Sequence, residues 1–151
     1  MDVILQTGPD LTALIARIVL GAIILPHGAQ KLLGWFGGFG YRGTMNFFTQ
    51  NMHIPYVFGL LAILAEFVGG LGLVLGLFGR ASALAVGAVM VVAVLTSHFQ
   101  HGFFMNWLGS KKGEGYEFHL LALGLALIVL IAGSGAWSID QLLHAWLAGQ
   151  V

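Results

Sequence analysis

The sequence contains no cysteine among its 151 residues. Disulfides, CxxC redox motifs, thiolate nucleophiles and iron–sulfur ligation by the chain are therefore excluded. Any redox chemistry has to use a bound cofactor, a quinone, or a metal held by histidines and carboxylates. The missing thiols say nothing about the compartment in which the protein works.

Charged residues are also scarce, at 8% of the chain, whereas 58% of the residues are hydrophobic. Soluble domains carry about 25% charged residues, so this chain could not cover a globule of its size with polar surface. The mean hydropathy of +0.92 leads to the same conclusion. Six basic and six acidic side chains cancel, so no net positive field attracts nucleic acid, and DNA or RNA binding is not expected.

Long apolar runs are abundant, and a membrane span needs about 20 such residues. Four stretches qualify, at residues 11–33, 56–78, 81–99 and 116–132. Acidic Asp2 and Asp10 precede the first run, where a signal peptide would be basic, so this run is interpreted as a retained helix. We predict an all-α integral membrane protein, a four-helix transmembrane bundle that forms one domain over residues 1–151.

A short amphipathic helix is predicted at residues 138–148, after the last span. Ser138 and Gln141 have the spacing of a capping box. One helical face then carries the apolar side chains of Ile139, Leu142, Leu143, Trp146 and Leu147. The segment is too short to span a bilayer, so we expect it to lie in the membrane interface or to pack on the end of the bundle.

Polar side chains gather at one end of the predicted bundle, because alternating helix directions bring loops one and three together. Glu66 lies about 15 Å below the loop-one surface, and His27 about 10 Å below it on span one. Lys31 is one turn from His27. Since intramembrane ionisable groups are costly and usually functional, we predict a catalytic cluster of Glu66, His27 and Lys31. The alternative is that Glu66 only links two helices by hydrogen bonding.

Further candidates for ligand binding are Arg17, His98, Asn106, Trp107, Glu117 and His119. Arg17 lies near the opposite end, where snorkelling to the interface is the favoured interpretation. His98-x-x-His101 and Glu117-x-His119 have spacings that a metal or a haem can use. A single HxxH at a helix end is more typical of an interfacial pair, so neither a metal nor a haem is expected.

Several motifs resemble the DoxX family of small four-span membrane proteins. They are Arg17, residues 26–31 (PHGAQK), 65–70 (AEFVGG), 76–80 (GLFGR), 116–117 (YE) and 137–140 (WSID). The resemblance implies a four-helix bundle in the bacterial inner membrane. Relatives in that family include a subunit of a thiosulfate:quinone oxidoreductase and a membrane component of an oxidative-stress complex.

Three functions are compatible with these patterns. The favoured one is a quinone-linked membrane oxidoreductase component, with quinone as the candidate cofactor and a soluble redox protein as a partner beside the lipid bilayer. The second is a non-catalytic membrane anchor or adaptor for a redox or stress-response complex. The third is a transporter, which would require a homo-oligomer because four spans alone do not enclose a path, and no inverted repeat is visible.

Overall fold

A computed structural model describes residues 7–149, which are helical with no strand. Its six α-helices are α1 (Leu11–Leu33), α2 (Gly40–Asn46), α3 (Tyr56–Leu75), α4 (Gly79–Ala93), α5 (Glu117–Ala132) and α6 (Ile139–Leu147). A π-helical turn at Val94–His98 and a 3-10 turn at Phe99–His101 extend α4. Within loop one, a second π-helical turn, Phe47–Asn51, follows α2.

Three of these helical segments are long and apolar enough to cross a membrane: Leu11–Leu33, Tyr56–Leu75 and Gly79–His101. Helix α5 is apolar but has only 16 residues. At 1.5 Å per residue it is about 24 Å long, shorter than a hydrocarbon core of about 30 Å. The prediction of an all-α membrane bundle is confirmed, with a fourth helix shorter than the other three.

The ends of the helices follow local capping chemistry. Asp10 begins α1, because its Oδ1 accepts hydrogen bonds from Thr12 N at 2.7 Å and Ala13 N at 3.4 Å. Helix α3 ends at Leu75 rather than at residue 78, since Gly76 adopts a left-handed conformation with φ of 64°. Gly76 is therefore a helix cap. Gly72, one turn earlier, packs closely against the Ser82 side chain of α4.

Helices α1 and α3 approach each other most closely where glycines remove the side chain. A Cβ on Gly28 would lie 2.5 Å from the Cα of Phe67, and one on Gly70 would lie 2.8 Å from the backbone N of Leu25. Such close approach is typical of packing in membranes, where van der Waals contact replaces the hydrophobic effect. Helices α4 and α5 complete the bundle around a core that includes Leu20, Ile24, Leu73, Val86 and Val129.

Arg17 does not snorkel, and that prediction is wrong. Its side chain is buried, and its five N–H groups donate to backbone carbonyls. Nε donates to Ser134, Nη1 to Leu73 and Val74, and Nη2 to Ala136 and Trp137, at 2.7–3.1 Å. These carbonyls lie at the end of α3 and in the turn before α6, where backbone carbonyls lack a full set of helical partners, so they solvate the guanidinium inside the protein. The Leu73 carbonyl also accepts a hydrogen bond from Gly76 N at 3.3 Å.

Helix α6 packs on the same end of the bundle. Asp140 is buried, and its carboxylate accepts hydrogen bonds from Phe78 N, Gly79 N and the Ser134 hydroxyl at 2.6–2.9 Å. It therefore caps the start of α4. Ser138 caps α6 as predicted, since its Oγ accepts from Gln141 N at 3.2 Å. Leu142 and Trp146 stay exposed on the outer face of α6, as an interfacial helix requires.

Candidate functional site

An ion pair between Lys31 of α1 and Glu66 of α3 forms the centre of the polar end. Lys31 Nζ donates to Glu66 Oε2, and the Glu66 side chain is 6% exposed against 31% for Lys31. The glycine contact at Gly28 lies one turn before Lys31, and its partner Phe67 adjoins Glu66. This close helix contact is what lets the two side chains meet. Two of the three predicted catalytic residues are therefore together, and their catalytic role stays a prediction.

His27 occupies a different position from the one predicted. Its ring centroid lies 6.3 Å from that of Phe118 on α5, and the residue is exposed on the surface of the bundle. Within residues 7–149, no hydrogen bond joins His27 to Glu66 or to another group. Lys31 and His27, one turn apart on α1, thus have different neighbours: Lys31 contacts α3, and His27 lies beside α5.

His98 and His119 form a second group at the same end. Their ring centroids are 4.1 Å apart, and His98 Nδ1 lies 2.9 Å from the carbonyl oxygen of Glu114. His119 is buried, and its Nδ1 has no hydrogen-bond partner among the described residues. His119 is also within electrostatic range of His27 and Lys31. The two polar groups are therefore neighbours.

His98 and His101 do not contribute to one site, although they are three residues apart. His98 lies against His119, whereas the His101 ring lies against the backbone of Gly113 in loop three. In the described part of the chain, no group of three or more His, Asp or Glu residues is placed to hold a metal ion.

Loop three is braced from within. The Glu117 carboxylate accepts hydrogen bonds from Met105 N at 2.9 Å and from Trp107 Nε1 at 3.2 Å. Asn106 exchanges two hydrogen bonds with the Lys111 backbone, at 2.9 and 3.0 Å, and its own N donates to Glu114 Oε2 at 2.7 Å. Asn106, Trp107 and Glu117 thus hold the loop over the polar end. A ligand-binding role for them stays a prediction.

Arg17 is separated from all the other predicted site residues, at the α6 end of the bundle. All five of its N–H donors are used on backbone carbonyls. No donor is left for a ligand, so we expect a structural role for Arg17.

Loop one adds a contact that the sequence did not reveal. The hydroxyls of Tyr41 in α2 and Tyr56 at the start of α3 are hydrogen-bonded to each other. This bond raises the pKa of Tyr41, because it stabilises the protonated phenol. Sequence analysis did not predict α2, because loop one is rich in glycine. It did not predict the tyrosine contact either, because no helical periodicity relates two residues that are 15 positions apart.

An apolar cleft of about 440 Å³ lies between α1 and α5. Phe118 forms part of its wall, so the cleft begins beside the His27 ring. The polar end therefore combines a partly buried ion pair, an adjacent apolar space, and the imidazoles of His27 and His119, for which the described residues show no hydrogen bond.

A methyl group added at Gly28 tests how the ion pair is positioned. Gly28→Ala places a Cβ 2.5 Å from the Phe67 backbone, so α1 and α3 must separate at that point. We expect a loss of about 1–3 kcal/mol of stability, as for other overpacked interfaces. The melting temperature in detergent measures this loss. Gly124→Ala is the matched control, since a Cβ there meets nothing within 4 Å, and equal melting of the two variants would contradict the close contact.

Two comparisons with known proteins agree with this architecture. The DoxX family model matches residues 12–99, which include α1, α3 and α4. Inner membrane protein YqjF of Escherichia coli (strain K12) is 30% identical over 135 residues, covering 89% of this chain and 94% of that protein. No solved structure matches the chain.

Proposed function

Because this chain belongs to the DoxX family of integral membrane proteins, we propose that it is a quinone-linked component of an inner-membrane oxidoreductase. The similar Escherichia coli protein is named as an inner membrane protein, which supports the same location here. The observation that carries the proposal is the Lys31–Glu66 pair, of which Glu66 is buried and Lys31 half-buried, near an apolar cleft and imidazoles without hydrogen-bond partners among the described residues. That combination suits a small, polar-headed and lipid-soluble ligand.

The polar groups fit the two carbonyl oxygens of a quinone ring. Lys31 has three N–H donors and uses one on Glu66, so two remain for a carbonyl oxygen. His27 offers a second donor with no partner in the described chain. An imidazole without a partner at membrane depth is costly, which favours a ligand that satisfies it.

A quinone, when bound, takes up two electrons and two protons on reduction to the quinol. Glu66 can hold and release a proton at a carboxylate oxygen, and an imidazole can do so at a ring nitrogen. The electrons are proposed to come from a soluble redox partner, since the chain has no cysteine for an iron–sulfur relay. Loops one and three cover this end and would receive such a partner.

Quinone content of the purified protein tests the proposal. We expect wild-type protein, extracted in mild detergent, to retain quinone in its lipid extract at a defined stoichiometry. Glu66→Gln keeps the side-chain volume but removes the charge that orients Lys31. We expect the retained quinone to fall about tenfold or more, which corresponds to about 1.4 kcal/mol.

Glu114→Gln is the matched control, because Glu114 is an exposed carboxylate in loop three. It should retain quinone as the wild type does. The proposal fails if wild-type protein retains no quinone and binds none on addition, or if Glu66→Gln retains as much as wild type.

A specific feature of loop three favours an anchoring function as the second candidate. The loop is internally hydrogen-bonded yet leaves Trp107 and Leu108 83% and 92% exposed. An ordered loop with exposed apolar residues is suited to protein docking. Under this alternative, the double variant Trp107→Ser/Leu108→Ser disrupts the native complex on a native gel, while Glu66→Gln leaves the complex intact. A complex that survives the double variant and is lost in Glu66→Gln rules the anchoring function out.

A further inference from the structure

The cleft between α1 and α5 opens sideways from the bundle. Its walls are apolar and include Val19 and Ile23 of α1, with Phe118, Leu121 and Gly124 of α5. Val19, Ile23 and Leu121 are 40–72% exposed on two helices that lie in the membrane. From Phe118 to Leu125 the cleft follows α5 for about 10 Å. Its mouth therefore faces the lipid chains and not the aqueous loops.

Gly124 keeps this cleft open. Among the glycines within the spanning helices of residues 7–149, it is the one whose added Cβ would meet no atom within 4 Å. Gly21, Gly28, Gly70 and Gly72 all face a neighbouring helix at 3.0 Å or less. Helix packing explains those four but does not explain Gly124. A glycine in a helix is unfavourable relative to alanine, so its presence here points to the space that it leaves.

The upper end of the cleft leads to an unpaired polar group. Phe118, in the wall, lies beside the exposed His27 ring, with centroids 6.3 Å apart. His27 is six residues before the end of α1, or about 9 Å below it. His119, next in sequence to Phe118, has a buried and unpartnered Nδ1. A ligand lying in the cleft would thus bring its head to the His27 imidazole, which has no hydrogen-bond partner among the described residues.

A second cleft of about 450 Å³ provides a comparison. It lies among Ile15, Val74 and Trp137 and is bordered by Arg17. Although its size is similar, all five N–H donors of Arg17 are already bonded to backbone carbonyls. Arg17 therefore has no donor left for a headgroup, and the only other polar side-chain group in the described lining is the indole N–H of Trp137. The two clefts therefore differ in their polar groups and not in their volumes. The α1/α5 cleft has the imidazole of His27 at its upper end.

We propose that the α1/α5 cleft holds the isoprenoid tail of a membrane quinone and is its lateral route to the polar end. The inference rests on the proposed function and specifies the tail-bearing class of ligand. The tail gains nothing from leaving water, since it passes from lipid to protein, so its contribution comes from shape. Branch methyls fit where Gly124 has no side chain, and His27 hydrogen-bonds to the ring.

Binding of tailed and tailless quinones to the purified protein tests this assignment. The probes are an isoprenoid-tailed benzoquinone and the same substituted ring without its tail. Gly124→Leu fills the cleft from α5, and Ile23→Trp narrows it from α1. Leu127→Phe is the control, because Leu127 is exposed on the same helix outside the cleft. We expect the first two variants to bind the tailed quinone at least tenfold more weakly, with unchanged affinity for the tailless ring.

The outcomes separate this inference from the proposed function. If Gly124→Leu and Ile23→Trp bind the tailed quinone as wild type does, the cleft assignment is wrong while the quinone function stands. Loss of both probes in these two variants, with melting temperatures preserved, also overturns the tail assignment. If the variants lose a co-purified phospholipid and keep their quinone affinity, the cleft is a lipid site. If wild type binds neither quinone, both proposals fail.

Discussion

Replacing Arg17 with methionine is expected to cost at least about 3 kcal/mol of stability. The guanidinium is buried and donates five hydrogen bonds that join α1 to the end of α3 and to the turn before α6. Each buried carbonyl left without a donor costs about 1–3 kcal/mol, less where water reaches it. A shift of about 6–12 °C in melting temperature follows for a chain of this size.

Two controls distinguish this network from a general effect of charge. Arg42→Met removes an exposed arginine of α2 and should leave the melting temperature unchanged. Arg17→Lys keeps the positive charge but replaces the five-donor fork by one ammonium, which cannot reach carbonyls on both sides. We expect it to be clearly destabilised. Melting of Arg17→Met at the wild-type temperature would contradict the buried network.

Removing one partner of the Lys31–Glu66 pair is expected to cause the second large loss of stability. Lys31→Met leaves the Glu66 carboxylate buried without its cation. Removing one partner of a buried pair costs about 3–5 kcal/mol. We expect about 3 kcal/mol, the lower end, because the Lys31 side chain is 31% exposed. Thermal melting in detergent measures the loss.

The double variant Lys31→Met/Glu66→Leu should recover most of that stability. Replacing a whole buried pair by apolar side chains is often neutral, since the desolvation cost of both charges disappears. The two substitutions are therefore expected to be strongly non-additive. Independent, additive losses in the single and double variants would show that the two side chains do not interact.

Helix direction and rise were enough to predict part of the polar end. Counting residues from loop one placed Glu66 below His27 and Lys31 one turn above it at the same end of the bundle, and the structure pairs Lys31 with Glu66. His27 was misplaced because its ring lies beside Phe118 of α5, and the sequence does not fix which helices flank α1. The contact that decides this, Gly28 against Phe67, depends on helix packing angle.

The Arg17 network was beyond sequence analysis for a different reason. Its acceptors are backbone carbonyls as far as 120 residues away. Every residue has a backbone carbonyl, so the sequence does not show which ones accept these hydrogen bonds. The role of Asp140 also needed the structure, which places its carboxylate at the start of α4, 61 residues away in the sequence. The α1/α5 cleft also needs the structure, since Gly124 looks like any other glycine until its surroundings are known.

Quinone binding to Lys31→Met/Glu66→Leu tests most directly whether the ion pair is a headgroup site. This variant is expected to fold with near wild-type stability, so a loss of binding reports on the site and not on the fold. We predict that it melts close to wild type and retains at least tenfold less quinone, for the tailed and the tailless ring alike. A variant that folds and binds quinone as tightly as wild type would contradict the account.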